Sequence, residues 1–202
     1  MHPEYPTLGY FFGVMYKLTN LPIVTIALVE GVARAGACDF VMAFDIRFGA
    51  SKFRISHIEA CVGVYASGGG SMRLLQSVGK ARALEYLYSG RDVTAEEAEK
   101  YGWINRAFPS SESMREFSTA YINRVQKFPL AALATTKARI NSASGSDALE
   151  VWEEDFKSFM TLVLKPETQT LVGEIWTLIK DATYCEEEID LSNALMTIPS
   201  YK

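Results

Sequence analysis

Leu21-Pro22-Ile23-Val24-Thr25-Ile26-Ala27-Leu28-Val29, followed by Glu30-Gly31-Val32-Ala33-Arg34-Ala35-Gly36-Ala37-Cys38-Asp39-Phe40, is the stretch that decides the fold. Its first nine residues are apolar and rich in β-branched side chains. They are too few to span a membrane and read as a buried strand. Glu30-Gly31 ends that strand. The small-residue run after it reads as a turn entering a helix. Small side chains let a backbone approach a ligand closely. A helix that opens there aims unpaired N–H groups at whatever lies in front of it. Gly36 is therefore a candidate donor to a developing oxyanion.

Glu59 follows Asp39 by twenty residues, in Ile55-Ser56-His57-Ile58-Glu59-Ala60-Cys61-Val62-Gly63. A second glycine-rich segment, Ser67-Gly68-Gly69-Gly70-Ser71, then opens a helix. Two carboxylates, each beside a glycine segment and a helix start, suggest acid–base chemistry next to an anion-stabilising amide. Each residue also has a plainer reading. Gly36 could simply allow close packing, Glu59 could lie on a surface loop, and Asp39 could complement a helix dipole.

Outward from this stretch, residues 8–19 read as a helix with Tyr10, Phe11, Val14, Met15 and Leu18 on one face. Asp45 to Ala50 and Lys52 to Ser56 read as short strands, and helices are expected from about Gly70 and from Lys80, the second capped by Gly90. Thr94-Ala95-Glu96-Glu97 is a capping box, its helix ends at Gly102, and Trp103 to Phe108 reads as a strand. From Ser111 to Ala182 no strand pattern appears. Helices are expected over 112–127, from Pro129 to about Asn141, from a Ser146 cap, and from Pro166. Leu149, Trp152, Phe156, Met160 and Val163 form an apolar stripe, with Leu171, Ile175, Leu178 and Ile179 on the next helix. Such stripes either pack within the chain or are shared between subunits. The division expected is an α/β core over 1–109 and a helical region over 110–202. The tail from Cys185, with Glu186-Glu187-Glu188, reads as polar and loosely held.

Of the 202 residues, 49% are hydrophobic, which suits a globular chain with a sizeable core. The net charge of −4 and the lack of a basic stripe argue against a nucleic-acid partner. Three cysteines without metal spacing point to a reduced, cytoplasmic setting, with organelle import left open. Two histidines cannot build a His-rich site, and no metal is expected. No signal peptide, membrane span or peroxisomal Ser-Lys-Leu ending is read. Gly79-Lys80 is followed by Ala81 rather than Ser or Thr, and Arg73 stands where a dinucleotide fingerprint needs glycine, so both nucleotide-loop types fail.

Read in order, Ala35-Gly36-Ala37-Cys38-Asp39, Phe44-Asp45-Ile46-Arg47, Ile58-Glu59-Ala60-Cys61-Val62-Gly63, Gly68-Gly69-Gly70-Ser71-Met72-Arg73-Leu74 and Val78-Gly79-Lys80-Ala81 resemble the crotonase superfamily, the enoyl-CoA hydratase/isomerase family. The resemblance covers roughly residues 8 to 145. It implies an α/β spiral of ββα turns, shortened at its N-terminus, with an all-helical C-terminal part. It implies an enzyme acting on an acyl-CoA thioester, needing no separate cofactor because coenzyme A is part of the substrate. In the family, the position of Gly36 gives one of two amides on the thioester oxygen, that of Glu59 moves the α-proton, and that of Asp39 helps hold the attacking water. Substrate contacts are implied at Ala33, Ala35, Gly36, Ile58, Ser67 and Gly68, and homotrimers or dimers of trimers through the C-terminal helices. A Δ3,Δ2-enoyl-CoA isomerase, needing Glu59 but not Asp39, and a non-catalytic acyl-CoA binder or oligomer subunit are the alternatives. Several positions depart from the family pattern. Asp39 stands for Glu, Ala35 and Ala37 for glycines, Ile58 for Pro, and Ala66-Ser67 for a Pro-Gly pair. Arg34 brings a charge into an apolar position, and the segment that carries the first oxyanion amide is expected to be missing.

Overall fold

The computed structural model describes residues 1, 3–145, 148–179, 191 and 195–201. Two small sheets are wound together by a chain that alternates between them. Strand β1 (Ile26–Val29) pairs in parallel with β3 (Ile46–Gly49), in the register Ile26 to Ile46, and β3 pairs in parallel with β6 (Arg106–Ala107). In the second sheet, β2 (Val32–Arg34) runs parallel to β4 (Arg54–Ser56), which pairs antiparallel with β5 (Val93–Thr94). The chain crosses between sheets at Glu30-Gly31 and again around Ser51-Lys52. The first passage enters helix α2 (Gly36–Met42); the second enters a 3₁₀ turn (Glu59–Val62) and then helix α3 (Gly70–Val78). Each turn of the spiral is thus strand, strand, helix.

The first strand is shorter and less buried than its sequence implies. β1 is an edge strand, Ala27 is buried, and Leu28 and Ile23 are exposed. The alternation of a one-sided strand governs only four residues here, and apolar content alone overstates burial. β2 lies inside the segment read as a turn. Three residues carry too little periodicity to register, and the pairing with β4 makes the strand.

Helix α1 (Tyr10–Asn20) buries Met15 and packs Leu18 as expected, but its inward face is rotated from the one read at its start. Phe12, Met15 and Thr19 are buried, whereas Tyr10 and Phe11 are exposed. Leu8, Phe12 and Met15 pack against Trp152 and Phe156 of α8 (Leu149–Val163). The stripe of α8 is therefore covered, in its N-terminal half, by α1 of the same chain. Helices α4 (Lys80–Ser89) and α5 (Ala95–Tyr101) sit as expected; Gly90 caps the first with φ 60°. The Thr94 hydroxyl accepts from the Glu97 amide, but the Glu97 carboxylate turns to Arg91 and Tyr86 rather than closing the capping box.

Helices α6 (Ser111–Val125), α7 (Leu130–Ser144), α8 and α9 (Pro166–Ile179) occupy the region expected to be helical. The Ser146 cap lies outside the described residues, as do Cys185 and Glu186-Glu187-Glu188. Three described residues beyond that segment are packed into the fold. Leu191, Leu195 and Ile198 are buried with Ile175 of α9, against Ile58 and Val62. No helix among the described residues is long and apolar enough to cross a membrane.

The main core lies between the second sheet and helices α2 to α5. Phe53, Ile55, Tyr86 and Trp103 are fully buried there. Truncating a buried residue of this size typically costs about 3–5 kcal/mol, so this cluster holds the strand ends that carry the site.

Candidate active site

The parallel register of β2 and β4 places Arg34 beside Ser56. The ladder continues one step, with the Ala35 amide donating to the Ser56 carbonyl at 3.1 Å. The segments leaving the two strands therefore emerge side by side. After β2 comes α2, with Asp39 one turn past Gly36; after β4 come His57 and then Glu59 at the head of the 3₁₀ turn. Arg34, the charge in an apolar position, is accounted for at this junction. Its guanidinium makes a two-point pair with Asp92, which also accepts from Ser56 Oγ at 3.0 Å.

Asp39, His57 and Glu59 are 5%, 1% and 7% exposed. His57 Nδ1 lies 3.6 Å from Asp39 Oδ1 and 3.5 Å from Glu59 Oε2. Asp39 Oδ1, His57 Nδ1 and both Glu59 oxygens are buried without a hydrogen-bond partner. Such groups are costly in a folded chain and call for an occupant or a chemical role. On the other edge of the imidazole, Cys38 Sγ is 3.4 Å from Nε2, and the ring stacks on Trp103 at a 17° interplanar angle.

The third wall is the glycine-rich loop. A Cβ on Gly70 would fall 2.0 Å from Asp39 Oδ1, so only glycine lets that carboxylate sit against the start of α3. Asp155 of α8 braces the loop, accepting from the Gly69 amide at 3.2 Å and from Tyr65 Oη at 2.8 Å. Arg73 lies beneath, donating to the Gly68 carbonyl and to Thr19 Oγ1. Burial, then the Glu59 charge, pushes the Asp39 carboxyl well above its ordinary range; Arg73 acts against the shift. Burial likewise raises the Cys38 thiol well above its ordinary range, helped by Asp39 and Glu59. Burial lowers the Arg73 guanidinium to about 10, with Asp39 opposing, so it stays a cation.

A cavity of about 270 Å³ opens onto this cluster, lined by His57, Glu59, Tyr65, Ala66, Ser71 and Leu87 among others. Asp39 does not line it. A larger cavity of about 570 Å³ lies between α7 and the ends of β3, but neither carboxylate faces it. The Asp39, His57 and Glu59 ligand atoms all lie within 4.8 Å of one another and could hold a cation. Counting histidines for a His-rich site overlooks this mixed set.

The structure brings Asp39 and Glu59 together as the sequence suggests and adds His57, to which the sequence pattern gives no role. Gly36 opens α2 next to the ring of Phe11, whose Cζ would be 3.4 Å from an added Cβ. Ala33 is a core residue. Ala35 is half-buried with φ 51° and ψ −128°, a conformation suited to glycine. Ala37 keeps an ordinary φ. Ile58 packs against Ile175 and its neighbours. Ser67 is buried, and Gly68 sits under Met15, whose Cε would be 2.3 Å from a Cβ there. Tyr65 and Asp155 are further parts of the site that ninety residues of separation hid from any local motif.

Comparison with known proteins gives one consistent result. The enoyl-CoA hydratase/isomerase family profile matches residues 9–172. A Mycobacterium bovis protein named "Probable enoyl-CoA hydratase" is 31% identical over 140 residues, which are 69% of this chain and 54% of that protein. The mitochondrial methylglutaconyl-CoA hydratase of Rattus norvegicus is 32% identical over 116 residues, 57% of this chain and 36% of that one. A solved structure from Streptomyces avermitilis, described as a candidate enoyl-CoA hydratase, superposes with a TM-score of 0.84 at 33% identity, covering 93% of this chain and 66% of its own. The chain spans about half the length of the curated bacterial relative it matches. With the alternating two-sheet spiral and the paired carboxylates at its strand ends, these matches establish that the chain belongs to the enoyl-CoA hydratase/isomerase family.

Proposed function

We propose that this chain carries the acid–base half of an acyl-CoA site that hydrates a 2-enoyl thioester. The observation that supports this reading most is the pair of buried, unpartnered carboxylates, Asp39 and Glu59, beside a cavity. Like charges held this close raise one pKa, so one group can donate while the other accepts. In the reaction, water oxygen bonds to the β-carbon and gives its proton to one carboxylate, while the other protonates the α-carbon. The pair holds one proton before and after. Negative charge passing onto the thioester oxygen is met by the Gly36 amide at the head of α2; such a donor is typically worth about 10²–10³ in rate.

One observation favours a second reading, Δ3,Δ2-isomerisation by Glu59 alone. Glu59 lines the cavity, whereas Asp39 is pressed against Gly70. Hydration removes the enoyl chromophore of a 2-enoyl-CoA, and isomerisation creates it from a 3-enoyl-CoA, so one absorbance assay with matched acyl chains separates them. Glu59→Gln should lower either activity by about 10²–10⁴-fold with acyl-CoA binding retained. Unchanged turnover in that variant removes Glu59 from the chemistry. Thioester binding by a wild-type chain with neither activity would leave the binder reading.

Trimeric association through α7–α9 belongs to the same proposal. Its support is Val172 and Trp176 of α9, the latter 65% exposed, rather than Trp152 and Phe156, which α1 covers. Sedimentation at micromolar concentration reads the assembly directly.

A further inference from the structure

The imidazole of His57 is set between a thiol and two carboxylates, with nothing else in reach of its nitrogens among the described residues. Cys38, His57 and an acid in a row resemble the parts of a nucleophile triad. Cys38 cannot serve as that nucleophile. It is fully buried and does not line the cavity, so no substrate reaches its sulfur. At 3.4 Å from Nε2 the thiol can donate to that nitrogen, while an ionised carboxylate facing Nδ1 can only accept; together the two sides leave the imidazole proton on Nδ1. Nδ1 faces Asp39 Oδ1 and Glu59 Oε2 at 3.6 and 3.5 Å, equal within a tenth of an ångström. Both are longer than a hydrogen bond, and contacts of this kind commonly tighten when substrate binds. The stack on Trp103 restrains the ring from turning away. Of the other charges near the cluster, Arg73 and Asp155 act on Asp39, and Arg47 acts on Cys38.

We propose that His57 is a positioning residue, fixed as its Nδ1–H tautomer by Cys38, whose single N–H donates to whichever of Asp39 and Glu59 is ionised. This rests on the acid–base reading of the pair given above. Hydration exchanges which carboxylate carries the proton. A donor equidistant from both serves the charge before and after the step without moving, and itself neither gains nor loses a proton.

The chain has two histidines, His2 and His57, so ¹⁵N-histidine labelling of the full chain, with His2→Ala to assign the signals, reads the tautomer without any substrate. The imidazole proton is expected on Nδ1, with Nε2 bare. Cys38→Ala should mix the tautomers, and Cys38→Ser, which keeps a donor, should restore Nδ1–H. A ring protonated at Nε2 overturns the proposal. In turnover of a 2-enoyl-CoA, His57→Phe should lower kcat about 100-fold with KM within about threefold. His57→Asn, whose amide lies near the former Nδ1, should recover to within about tenfold of wild type, and His57→Gln should not. Equal losses for Asn and Gln, in variants whose thermal melts match, also overturn it. Should His57→Phe fail to fold, the Asn and Gln pair and the two Cys38 variants decide. A wild-type chain that turns over no enoyl-CoA would sink the acid–base reading, and the positioning role with it. An active enzyme indifferent to His57→Phe would sink the positioning role alone.

Discussion

Asp39 and Glu59 sit at equivalent places in successive turns of the spiral, and their surroundings differ. Each lies just beyond the second strand of a ββ pair, and each is over nine-tenths buried. Glu59 begins a short 3₁₀ turn and faces a cavity, with two unpartnered oxygens. Asp39 lies inside an α-helix, one turn from its start, with one oxygen against the Cα of Gly70. The first group lines the space a ligand would fill; the second is held beside it by the start of α3. The fold supplies both positions by repetition, and the segment after each strand decides the chemistry.

The strongest way to break this comparison is to remove the space that Asp39 occupies. In Gly70→Ala the new Cβ would lie 2.0 Å from Oδ1, so the carboxylate must swing away. A displacement of about 1 Å at a reacting group can cost on the order of 100-fold. Hydration should fall by that order, while isomerisation, if Glu59 performs it alone, should fall far less. Equal losses, measured with matched acyl chains, would place both carboxylates in both reactions.

A smaller effect, and one of opposite sign on stability, is expected from Asp39→Asn. Unfolded, Asp39 ionises near 3.8; folded, its pKa is raised by burial and by Glu59. Between those values the folded chain keeps a proton the unfolded chain has lost. The stability this group contributes is therefore fully present below about pH 4 and declines as pH rises through the folded pKa. The amide removes that decline. Asp39→Asn should be more stable than wild type at neutral pH, by about 1–3 kcal/mol, and closer to it in acid. Chemical denaturation at several pH values reads the difference; a variant less stable at neutral pH would mean that Asp39 is well compensated by Arg73. Glu59→Gln is the counterpart, and comparing the two shows whether the carboxylates share one proton.

Much of this arrangement is visible along the chain, and the rest is not, for reasons that are local to each residue. Asp39, Glu59 and Gly70 each sit beside a strand end or helix start with a sequence signature, so their meeting is expected once the spiral is recognised. His57 has no such signature, because a lone histidine just past a strand end reads the same in a packed core and in a site. Tyr65 and Asp155 meet across ninety residues, and only the packing of α8 on α1 brings them together. The inward face of α1 is hidden in the sequence because Tyr10 and Phe11 have the hydrophobicity of core residues yet lie on the open side. Hydrophobicity identifies which residues can be buried, while the partner helix decides which ones are.

The mildest test concerns the junction through which Asp39 is presented. Between β2 and α2 the chain turns at Ala35, whose φ of 51° and ψ of −128° lie in a region that glycine enters freely and alanine does not. Ala35 is the one non-glycine residue with positive φ among those described. Its amide is committed to the Ser56 carbonyl and its carbonyl accepts from the Asp39 amide, so neighbouring structure holds it there from both sides. Such residues typically store about 1–3 kcal/mol of strain. Ala35→Gly relieves that strain but gives the unfolded chain more freedom, an opposing term of about 0.4–1 kcal/mol. The net expectation is a gain of roughly 1 kcal/mol, seen as a higher denaturation midpoint with unchanged slope. Because the turn sets where α2 begins, the same variant should leave the Asp39 to Glu59 geometry intact and change hydration by less than about threefold. A destabilised Ala35→Gly protein would mean that the methyl group is packed rather than strained, and that the two junctions of the spiral are more alike than their backbone angles indicate.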